Sequence, residues 1–128
     1  MSNQPFTADE FRSAAQAALE QAAAQLAQLL AGLALRLRPF PAFLGTTSVQ
    51  AVELVPAWRP TADHGCVVVT PDGAICRLDL KVIPGAGGLA EADQVEEFQE
   101  LALSAEEYIL YAGVALGLLS EELRRRGG

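Results

Sequence analysis

GCVVVTPDGAICRLDLKV, residues 65–82, contains two strand-like runs joined by a turn whose chemistry is explicit. In Thr70-Pro71-Asp72-Gly73-Ala74, proline sets the first turn dihedral and glycine supplies a positive φ, which predicts a tight hairpin. Downstream, Cys76, Leu78, Leu80 and Val82 alternate with Arg77, Asp79 and Lys81. That period of two predicts a strand with one buried and one wet face. If Thr70 faces Ala74, Cys66 faces Leu78 and Cys76 faces Val68. The thiols then lie diagonally on one sheet face, about 7–8 Å apart. A relaxed disulfide does not span that gap, so two buried free thiols and a reducing compartment are expected.

Working outward towards the N-terminus, strands are expected at about 47–55 and 65–70, with the third at 74–83. The loop between the first two, Pro56 to His64, holds Trp58, Arg59 and His64 and is a candidate recognition loop. Pro39-Phe40-Pro41-Ala42-Phe43-Leu44-Gly45 is a connector carrying two aromatics. Before it, a helix runs from about Thr7 to Leu37. Thr7 and Glu10 form a capping box, with Phe6 and Phe11 at the staple positions. Its expected core stripe is Phe11, Ala15, Leu19, Ala22, Leu26, Leu29, Leu30, Leu33 and Leu37. Ala17, Ala24, Ala27 and Ala31 lie on the far side, where alanine serves first as a helix former; the alternative is a ridge that lets a second helix approach closely.

On the other side of the hairpin, Val95, Phe98, Ala102, Ala105, Ile109, Ala112, Leu116, Leu119 and Leu123 recur every three or four residues, predicting a long core-facing helix over 90–123. Ser104 to Glu107 is a second capping-box pattern, so this helix is possibly broken near Leu103. Leu103, Leu110, Tyr111, Val114 and Leu118 line up on roughly the opposite side, which makes them a candidate interface. Gly113 and Gly117 suggest a tight helix crossing. The resulting class is α+β with the order α-β-β-β-α. It comprises a three-stranded antiparallel meander, a long N-terminal helix and a long, possibly broken C-terminal helix, in one domain over 1–128.

The net charge of −7 argues against nucleic acid or an anionic membrane as partner. No Lys or Arg occurs from Val82 to Leu123, where nine carboxylates fall: Glu91, Asp93, Glu96, Glu97, Glu100, Glu106, Glu107, Glu121 and Glu122. Such a stretch is a solvated face or a docking surface for a basic partner. Met1 to Glu10 has no signal-peptide pattern, and the longest apolar run, Tyr108 to Leu119, is shorter than the ~20 residues of a membrane span. A cytoplasmic protein is expected.

No motif assembles a catalytic centre. Gly85-Ala86-Gly87-Gly88-Leu89-Ala90 fits a dinucleotide-loop spacing, but no strand follows it and Glu91 and Asp93 bring negative charge to the phosphate position. His64, Cys66 and Cys76 fall one ligand short of a structural zinc set. The glutamates of the C-terminal region lack the histidines of a di-iron site. The element order is shared with double-stranded RNA-binding domains, whose phosphate-gripping lysines have Glu91, Asp93, Glu96 and Glu97 in their place here. The ending Leu123-Arg124-Arg125-Arg126-Gly127-Gly128 resembles that of ubiquitin-like modifiers over six residues, while arginines suit the C-terminus of a helix.

The expectation is a non-enzymatic, homo-oligomeric protein-interaction module without cofactor or metal: an adaptor, small acidic chaperone or complex subunit. Its partners would be itself and a basic or amphipathic protein. The alternative is a hydrophobic small-ligand-binding protein with a pocket near Phe40, Phe43 and Trp58; a small enzyme ranks behind both.

Overall fold

The computed structural model describes residues 7–41, 50–52, 64–84 and 92–127. Helix α1 spans Ala8–Leu35, followed by β1 (Gln50–Ala51), β2 (Cys66–Val69), β3 (Ile75–Pro84), β4 (Ala92–Glu100) and α2 (Ala105–Arg125). The sheet is an antiparallel meander in the order β1-β2-β3-β4. Taking the strands of four residues or more, the fold is α-β-β-β-α and α+β, and β1 adds a two-residue edge to it.

The hairpin follows its local chemistry. Val69 pairs with Ile75 and Cys66 with Leu78, so the cysteines are diagonal, free and unbridged. Gly73 N–H donates to Thr70 O (2.9 Å) and Thr70 N–H to Ala74 O (3.0 Å), closing a three-residue turn with Gly73 at φ 85°. The turn tip lies on α1: a Cβ at Gly73 would fall 2.6 Å from Ala31 Cα and 2.8 Å from its N. Glycine is needed there both for its dihedral and for the close approach.

Val67-Val68-Val69 is apolar at successive positions, as a strand covered on both sides requires. Val67 and Val69, with Val52, join Leu30, Ala34, Leu37, Phe40, Tyr111, Ala112, Ala115 and Leu119 in the main core between sheet and helices. Val68 and Leu78 form a second, smaller cluster with Cys76 on the opposite face. The helices therefore pack on the side of β3 that carries Ile75 and Arg77. Of the expected buried face, Leu78 is buried and Cys76 half-buried on the side away from the helices, and the side chains of Leu80 and Val82 lie outside the described residues. The consecutive valines of β2 supply apolar surface to both sides. Cys66 is exposed rather than buried, and Cys76 is half-buried.

Two further expectations change. Residues 92–100 form β4 instead of the start of the last helix. The Val95-to-Phe98 spacing is helical in period, yet pairing along β3 aligns Phe98 with Leu78 and Val95 with Lys81, and tertiary pairing overrides local period. The helix itself begins after Ser104, whose hydroxyl accepts from Glu107 N–H (3.1 Å) while Glu107 Oε1 accepts from Ser104 N–H (3.0 Å). Helix α1 is likewise closed by the Thr7–Glu10 box. At 28 residues it is about 42 Å long, and it outruns its cover. Every residue from Ala8 to Ala18 is exposed. Of the expected α1 stripe, Leu30 and Leu37 are buried, Leu26 and Leu33 lean on the core, and Phe11, Ala15 and Leu29 face water.

Candidate functional site

Three side chains expected to act separately come together where the helices meet the sheet. His64 stands immediately before β2, and Gly65, at φ 70°, turns the chain into the strand. His64 Nε2 lies 3.1 Å from Glu107 Oε2 in the first turn of α2, with the two side chains only 12% and 25% exposed. The imidazole also meets the buried Tyr111 ring edge-on, with centroids 6.0 Å apart and planes at 78°. Glu107 and Tyr111 are four residues apart, so one helical face presents both to the histidine.

The Glu107 carboxyl is held below its ordinary range, first by the Ser104 N–H and then by His64. At neutral pH it is a carboxylate and can only accept, so Nε2 of His64 is the donor and carries the hydrogen. One carboxylate thus satisfies the helix N-terminus with one oxygen and fastens the entry of β2 with the other. Nucleophilic catalysis would need a nucleophile and an oxyanion site beside this pair. The described residues supply a pair that fixes α2 against the sheet. No group of three or more His, Cys, Asp or Glu side chains able to hold a metal occurs among the described residues. Burial and the nearby carboxylates of Asp72 and Glu100 push the Cys76 thiol up, away from the reactive thiolate.

The expected interface is placed differently from its sequence reading. Tyr111 is in the main core, and Leu103, Leu110 and Val114 are partly buried against that core. Leu118 remains 40% exposed. The chain itself covers most of this stripe because α2 packs both on α1 and towards the sheet, so its neighbours wrap more than one side. Gly113 and Gly117 are exposed, and a Cβ at either would meet nothing within 4 Å. The expected tight crossing is therefore not made among the described residues. Trp58 and Arg59 of the candidate recognition loop, Phe43, and the 85–91 glycine segment lie outside the described residues. Phe40 is a core residue.

In the sequence Glu107 stands as a cap and His64 as a loop histidine, and both descriptions hold locally. Their pairing spans 43 positions and left no local signal. The ion pair Arg77–Asp79 (3.2 Å) joins half-exposed neighbours along one strand face, so it adds little.

No family model, curated protein or solved structure matches this chain. Among the described residues no helix is long and apolar enough to cross a membrane.

Proposed function

We propose that this protein is a non-enzymatic association module that works through its helices, forming a homodimer or small oligomer and engaging protein partners. One observation carries the reading: the N-terminal half of α1 is capped and helical yet exposed from Ala8 to Ala18. Isolated helices of that length are marginal in water and owe their stability to packing. The exposed length is rich in alanine, which permits close approach of another helix. Leu29 and Leu35, at 61% and 63% exposure, extend the apolar surface along the same element. The bare flank at Gly113 and Gly117 beside Leu118 offers a second place for a neighbouring backbone.

The contact surface in this reading is α1 rather than the Leu103/Leu110/Val114 stripe, which the chain needs for its own core. The double substitution Leu29→Asp and Leu35→Asp tests it. Native mass spectrometry should show a dimer or larger species for the parent protein and a monomer for the variant, with unchanged circular dichroism at matched concentration. A parent protein that is monomeric at micromolar concentration, or a variant that keeps the parental mass, overturns the reading.

A further inference from the structure

We infer that the outer edge of β4 is a docking site for an extended basic segment of a partner protein, which adds to the sheet as a further strand. The inference rests on the reading of the chain as an association module and names the chemistry of its partner. Three observations carry it. Among the described residues β4 is the terminal strand of the sheet, paired over all nine residues with β3 on one side only. Alternate residues of such a strand direct N–H and C=O groups away from the sheet, along about 30 Å here. At the far edge, β1 offers two residues among those described.

The second observation is charge. Glu97 stands diagonal to Arg77 and Lys81 of β3, whereas Glu96 and Glu100 stand opposite Leu80 and Cys76, on either side of Phe98 in the strand. Pairing β4 with a second copy about Glu96 would set Glu96 against Glu96, and like charges across a ladder oppose pairing. A partner strand bearing lysine or arginine reverses the sign of those cross-strand terms. Thirdly, Phe98 is 44% exposed beside buried Leu78, giving an incoming strand an apolar contact on the sheet face away from the helices. Main-chain bonds would supply affinity and the carboxylates selectivity, as in strand addition generally.

The test titrates the whole protein with a nine-residue end-capped peptide alternating lysine with valine, followed by amide NMR and hydrogen exchange. Binding should slow exchange at alternate amides within 92–100. The fully N-methylated peptide keeps the charge but has no N–H, and it should bind about tenfold more weakly, as should a glutamate–valine peptide. Glu96→Lys with Glu100→Lys should exchange the preference between the lysine and glutamate peptides. Equal binding of the N-methylated peptide, protection confined to other residues, or outward β4 amides already protected in the free protein would overturn the inference. A peptide that fails while the α1-dependent dimer persists removes only the edge assignment. A monomer that still binds the peptide at β4 removes only the helix-mediated association.

Discussion

Replacing Gly73 by alanine should be among the most damaging small substitutions in this protein, and two separate costs explain why. At φ 85° an L-residue occupies the left-handed region, which costs about 1–2 kcal/mol. The added Cβ would also sit 2.6 Å from Ala31 Cα, 2.8 Å from Ala31 N and 2.9 Å from Leu30 C. Those are backbone atoms inside a helix, so the turn tip must lift from α1, a packing loss of about 1–3 kcal/mol. The sum is about 2–5 kcal/mol, or a Tm lower by roughly 8–20 °C for a chain of this size. Urea denaturation followed by circular dichroism measures the first and a thermal scan the second. Gly65→Ala is the internal comparison. It too has a positive φ, 70°, but its Cβ would meet Arg77 Cδ at 2.8 Å, part of a flexible and half-exposed side chain that can move. Its cost should exceed the dihedral term, because the Arg77 stem must shift, yet stay below that of Gly73→Ala, where backbone blocks the way. Adding Ala31→Gly should not rescue Gly73→Ala, because the clash is with the Cα and N that glycine keeps. Equal losses for Gly73→Ala and Gly65→Ala, or rescue by Ala31→Gly, would refute the contact between turn and helix.

The two capping boxes should behave differently despite identical chemistry. Ser104→Ala should lower global stability by about 1 kcal/mol in urea denaturation, whereas Thr7→Ala should quicken amide exchange over the first turns of α1 with little change in the global midpoint, since that end is exposed. Glu107 has a folded-state pKa below its unfolded value, so its stabilisation is present above the ordinary glutamate range and is lost as pH falls through the folded value. Stability of Glu107→Gln should therefore fall less steeply than that of the parent as pH drops from about 5 towards 3, by denaturation at stepped pH. Leu119→Ala, at a fully buried position, should cost about 2–5 kcal/mol, while Leu118→Ala one residue away should cost far less by the same denaturation measurement.

Much of the architecture is legible locally because local chemistry decides it. Thr70-Pro71-Asp72-Gly73 sets both the turn and the register, and the diagonal placement of Cys66 and Cys76 follows from that register without further information. The boxes at Thr7 and Ser104 mark the helix starts. What the residues do not announce is which surfaces meet. Ala92–Glu100 carries strong helix formers, Glu and Gln, and becomes a strand because β3 offers nine paired positions. Val67 and Val68 point to opposite faces, and only the packed chain reveals that both faces are covered. The stripe from Leu103 to Leu118 looked surplus because one core-facing stripe already existed. In the structure α2 meets two neighbours, and Tyr111 turns inward to His64. The His64–Glu107 contact was beyond sequence reach for the same reason: it depends on where two distant elements dock.

Helix α2 follows every strand in the chain, yet it packs against α1, which precedes them all. A chain cut at Ser104 would keep the residues of α1 and of the meander but lose Ala112, Ala115 and Leu119, the cover of Leu30, Ala34, Val67 and Val69. The last helix thus both closes an apolar seam left by elements far apart in the sequence and engages His64 through Glu107.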